Sequence, residues 1–187
     1  MTLAIDIAAV LIIFVNAVAG WRYGIVGRMI AFAGLYAGVA AASFLGNGIA
    51  HYFFGRGSAT DLYTSAWTFL GVLVVVVILV EILAALYGDK VRSLTALAFD
   101  RTAGLIAGGV VGFFEIALIC LVAVSVGNVK GAPGQQNLPG NRTAAANAVH
   151  NGIVGGRIYT IEPGVQDLFK PALPSDLPGH LAELTAP

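Results

Sequence analysis

The chain has 187 residues and no net formal charge, with 58% apolar and only 11% charged residues. An ordinary soluble domain carries about twice that share of charge, so lipid rather than water is the natural solvent for this surface. The charge balance leaves no basic footprint for nucleic acid, and a single cysteine, Cys120, excludes an intramolecular disulfide and a cysteine-based metal cluster.

Four apolar runs follow one another, each of the ~20-residue length that carries a helix across a ~30 Å hydrocarbon core. The first spans residues 3–20 and ends at Gly20-Trp21-Arg22. Its Ala17-Val18-Ala19 resembles a signal-peptide cleavage site, but Asp6 and the lack of Lys or Arg before it favour a retained helix. Asn16 lies inside this run and needs an internal hydrogen-bond partner. The second run covers 25–45, with a small-residue stripe of Gly27, Ala31, Gly34, Gly38, Ala42 and Gly46. Residues 46–64 read as a polar connection. The third run, 66–87, is β-branched, but an isolated strand cannot span lipid, so it too is a helix; Glu81 interrupts it. Residues 88–101 hold Asp89, Lys90, Arg92, Asp100 and Arg101 and form the third connection, after those at 21–24 and 46–64, with the spacing of a short interfacial helix.

The fourth run, 102–126, carries Gly104, Gly108 and Gly112 on one face, a spacing that lets helix backbones approach closely in lipid. Glu115 falls on the same side as these glycines at 100° per residue and so points into a bundle. The small residues of the second and fourth runs predict that these two helices pack together. Beyond residue 127 the composition turns to Gly, Pro, Gln and Asn, a linker and extramembrane tail over 128–187. Within it 143–154 and 163–170 read as two short helices, and Pro171, Pro174 and Pro178 forbid a longer one. The fold class expected is all-α: an integral membrane bundle of four transmembrane helices, residues 1–127, with a partly helical C-terminal tail.

Glu81 and Glu115 are the sharpest candidates for chemistry, because a charge near the bilayer centre costs about 2.5–3.5 kcal/mol on insertion scales. Two readings stand side by side. Either carboxylate can serve as a proton or cation site. Alternatively, each holds helices together through hydrogen bonds, to Asn16, Ser125 or a loop arginine. Arg22, Asp100 and Arg101 read as loop anchors. Asp100 is placed to cap the fourth helix or to pair with Arg22. His51, His150 and His180 are scattered, and no motif for a metal, a cofactor or a phosphate loop is read. Counting Arg22, Arg28, Lys90, Arg92 and Arg101 against Arg56 puts the first and third connections in the cytoplasm and both termini outside.

The run Asp6 … Gly20-Trp21-Arg22-Tyr23-Gly24-Ile25-Val26 leading into Leu35 and Gly38, together with Phe99-Asp100-Arg101 … Gly104 … Gly108 … Gly112, resembles the colicin V production protein (CvpA) family of bacterial inner-membrane proteins. The resemblance covers about residues 3–126. It implies a link to colicin V production or export and to envelope homeostasis, and no particular biochemical activity follows from it. A similar module precedes a trypsin-like protease domain in some bacteria, but this tail holds no Gly-x-Ser-x-Gly elbow. The function expected is a non-enzymatic module that sits in the lipid bilayer of the cytoplasmic (inner) membrane and organises an envelope protein partner or a homo-oligomer. The alternative is a small proton- or cation-coupled transporter or channel component using Glu115 and Glu81.

Overall fold

The computed structural model describes residues 2–54, 62–92, 97–127 and 147–173. The described residues form α1 (Thr2–Phe54), α2 (Leu62–Arg92), α3 (Leu97–Gly127) and α4 (Ile153–Phe169), with one further helical turn at 147–150 and no strand. Three segments are long and apolar enough to cross a membrane: Leu3–Gly46, Thr68–Leu86 and Phe99–Val124. The first is 44 residues long, about twice what one crossing of a ~30 Å core needs.

The first two expected runs are thus one element interrupted at a single residue. Gly24 has φ 75 and ψ −180, far from helical values, and it is the only positive-φ residue among those described. In a straight helix Asn16 and Arg28 would stand ~18 Å apart; instead the Arg28 Nη1 donates to Asn16 Oδ1 at 3.1 Å. The two arms of α1, 2–23 and 25–54, therefore fold back on each other about Gly24. Only glycine takes this conformation without strain.

Contacts of glycine backbones set the order of the helices. Gly104, Gly108 and Gly112 of α3 lie against Gly20 and Gly24, against Asn16, and against Ile13 of the N-terminal arm, an antiparallel seam with backbone against backbone. Gly34 and Gly38 of the C-terminal arm lie against Val80 and against Leu73 and Val76 of α2, again antiparallel. This corrects the expectation that the two small-residue stripes face each other: each stripe faces a different helix. The second and fourth runs meet instead through the rings of Phe32 and Phe114, 5.4 Å apart.

The expected polar connection at 46–64 begins later than its composition indicates, since α1 stays helical to Phe54; residues 55–61 lie outside the described ones. The short interfacial helix expected within 88–101 is not a separate element: 88–92 continue α2 and 97–101 open α3, while 93–96 lie outside the described residues. In the tail, the short helix expected over 143–154 is seen as the turn at 147–150, with 143–146 outside the described residues, and the one expected at 163–170 is the C-terminal half of the longer α4, which carries Pro163 in its interior. Packing overrides the local preference: Ile158, Val165 and Phe169 are buried on either side of that proline. Phe169 is fully buried against Phe32, Tyr36 and Phe114, so the described part of the tail packs on the bundle.

Candidate functional site

Four polar side chains from all the membrane-length segments meet inside the bundle. Arg28, on the C-terminal arm of α1 and one turn past Gly24, is 1% exposed. Its two terminal nitrogens form a fork with Glu81 of α2, Nη1 donating to Oε1 at 2.9 Å and Nη2 to Oε2 at 2.7 Å. The guanidinium also donates to Asn16 Oδ1 on the N-terminal arm. Asn16 Nδ2 in turn donates to Glu115 Oε2 of α3 at 2.7 Å, and to the Ile12 carbonyl at 3.1 Å. The sequence Glu81–Arg28–Asn16–Glu115 is therefore one continuous hydrogen-bonded chain across α2, both arms of α1 and α3.

The residue types suit the order. An arginine only donates and an ionised carboxylate only accepts, so a group between them must do both; an asparagine amide does, in one orientation. The bidentate Arg–carboxylate fork is the strong form of this contact, and it leaves the Arg28–Glu81 pair without net charge. The Arg28 Nε is buried with no partner among the described residues. Tyr23 adds its ring, 5.8 Å from the guanidinium centre.

Both Glu81 and Glu115, which were expected to be the intramembrane carboxylates, are in this cluster. Arg28 was missed: it was counted as a loop charge. The available signal was that it is the only basic residue inside an apolar run, facing two lone glutamates in other runs. Removing it from the loop count leaves four basic residues at the first and third connections, so the inferred orientation keeps its sign.

The expected loop anchors lie at the Gly24 end. Asp100 is 3% exposed and sits inside the first turn of α3. It neither caps its own helix nor pairs with Arg22: its Oδ1 accepts the N–H of Ile25 at 3.0 Å, capping the restarted arm of α1. A side chain on Gly24 would collide with this carboxylate. Arg22 lies over the Tyr23 ring, 5.9 Å from its centroid. Arg101 is half-buried, its Nε without a partner among the described residues.

At the opposite end Asp6 takes the same capping role for the tail. Its carboxylate accepts the N–H groups of Ile153, Val154 and Gly155 at 3.0, 2.9 and 3.2 Å, the free donors of α4. The helix has no cap of its own at Gly152. Asp6 and Asp100 thus each cap a helix in another part of the chain. Among the described residues no group of His, Cys, Asp or Glu is arranged to hold a metal.

An all-helical bundle with three apolar helices of crossing length and a polar cluster in its interior is a multi-pass membrane protein. The Colicin V production protein family matches residues 5–149, and the chain belongs to that family. No curated protein and no solved structure matches it.

Proposed function

We propose that this chain is a non-enzymatic module of the bacterial cytoplasmic membrane that organises envelope partners, in the service of colicin V production or export and of envelope homeostasis. In this reading residues 1–127 cross the membrane four times, the two arms of α1 counting as two crossings, and the tail from 128 lies outside with both termini. The carrying observation is the cluster Glu81–Arg28–Asn16–Glu115, which pairs Arg28 with Glu81, holds Glu115 through Asn16 and ties every crossing segment together. Such a core suits a rigid platform. The Asp6 cap extends that platform to α4, so a partner bound at the tail is held by the whole bundle.

The test is copurification from membranes in mild detergent. A partner retained in fixed ratio by the wild-type chain and by Glu115→Gln supports the platform. A homo-oligomer with no other partner, showing proton uptake into vesicles that Glu115→Gln abolishes, replaces it with the transport reading. One observation favours that second reading: Glu115 is bonded to the neutral Asn16, so it can exchange a proton without parting Arg28 from Glu81.

A further inference from the structure

We infer that α4 is an interfacial helix whose outer flank, Ile153, Arg157, Ile161 and Leu168, is seated in the bilayer at the end of the bundle that holds Asp6, with Arg157 reaching lipid phosphate. The inference rests on the four-crossing reading above. Three observations carry it. The first is height. Asp6 stands 18 residues before Gly24 and Ser43 stands 19 after it, which at 1.5 Å per residue puts both about 27–28 Å from the turn, close to the ~30 Å thickness of the hydrocarbon core. Trp21, Arg22 and Tyr23 beside Gly24 mark the other boundary.

The second is attachment. The N-terminus of α4 is bonded to Asp6, and just beyond its C-terminus the Ala172 carbonyl accepts a hydrogen bond from Ser43 Oγ. Both ends of α4 are therefore attached to residues near that boundary, and the Phe169 ring reaches down from it to Phe32, Tyr36 and Phe114.

The third is the division of its surface. At ~100° per residue, Ile158, Val165 and Phe169 fall in one narrow sector, which is buried on the bundle. Thr160, Asp167 and Lys170 fall in an exposed polar sector on the far side. Between the two lies a sector of about 80° holding Ile153, Arg157, Ile161 and Leu168. Its apolar members are exposed, Ile153 by 83% and Ile161 by 52%. The apolar surface thus continues past the bundle contact through a sector about twice as wide as the contact itself. A helix at the headgroup layer buries such a flank among acyl chains, and an arginine inside it extends its stem through the apolar layer to place the guanidinium at phosphate.

The test uses the full chain with Trp21→Phe and Trp67→Phe, carrying one new tryptophan at a time. It is reconstituted in vesicles of phosphatidylcholine and phosphatidylglycerol with bromine on the acyl chains. Ile161→Trp and Leu168→Trp are expected to be quenched about twofold more than Thr160→Trp and Asp167→Trp, as follows from burial of one flank ~5–10 Å into the headgroup and acyl boundary. Phe14→Trp, midway along the exposed face of the N-terminal arm, reports on the crossing itself. Strong quenching at Phe14→Trp with none at Ile161→Trp and Leu168→Trp overturns the inference alone. Loss of quenching at Phe14→Trp as well overturns the four-crossing reading. Emission shielded from water at position 161 yet untouched by bromine assigns the flank to a second copy of the chain or a protein partner and overturns the lipid assignment.

Discussion

At the scale of single residues, Arg28 decides what the carboxylates mean. Removing one partner of a buried pair leaves a charge without compensation, which costs far more than removing both. Arg28→Met is expected to destabilise the bundle by ~2–3 kcal/mol, below the usual range because the Glu81 side chain is 30% exposed and water or headgroups screen it. Arg28→Met with Glu81→Met together should recover most of that loss. Denaturation in mixed micelles measures both, and a double variant no better than the single would show that the fork is not what stabilises the site. Asn16 makes a sharper case because its two ends face groups of opposite demand. Asn16→Asp places an acceptor against Glu115 and should lower stability by ~1–3 kcal/mol, while Asn16→Asp with Glu115→Gln restores a donor and should recover it. The two glutamates were legible in the sequence as lone charges in apolar runs. Asn16 was among the partners the sequence offered for them, but Arg28 was not named, because it sits only four residues past Gly24 and reads as part of a loop until the turn is known to be one residue long.

At the scale of elements, the packing follows from what a Cβ would meet. A methyl on Gly108 would lie within 3.0 Å of the Asn16 carbonyl group and of the Ala17 Cα, all backbone, whereas a methyl on neighbouring Gly109 meets nothing within 4 Å. Gly108→Ala should force the helices apart at ~1–3 kcal/mol. Gly109→Ala should be neutral or stabilising by up to ~1 kcal/mol, since alanine is the better helix former. The same unfolding assay separates them, and equal effects would refute the seam between α3 and the N-terminal arm. Gly24→Ala combines an unfavourable backbone with a collision at Asp100. It is expected to cost ~1–3 kcal/mol and to loosen the cap on Ile25. The glycine spacing showed in the sequence that each stripe is a packing face. It did not show which helix each face meets, because the same spacing fits any helix able to approach closely.

At the scale of the whole molecule, the fold-back at Gly24 and the two capping aspartates give the bundle distinct ends. In the proposed orientation Thr160→Cys, exposed on α4, is labelled by a membrane-impermeant maleimide from outside the cell. Trp21→Cys, 46% exposed at the Gly24 end, is labelled only after the membrane is opened. The native Cys120 is buried and should stay silent. Labelling of position 21 from outside would reverse the orientation. Asp6→Ala removes the acceptor of three α4 donors and should raise proteolysis of the tail while leaving the apolar helices protected. What the sequence determined by itself is the solvent: runs of apolar residues with lone charges can satisfy their backbones and cover their surface only as helices in lipid. What only the tertiary structure decided is the pairing of Arg28 with Glu81, of Asn16 with Glu115, and of each aspartate with a distant helix end. Those contacts join residues 12 to 149 positions apart, and a local pattern of hydrophobicity carries no information about which distant helix end or charge will be brought within 3 Å.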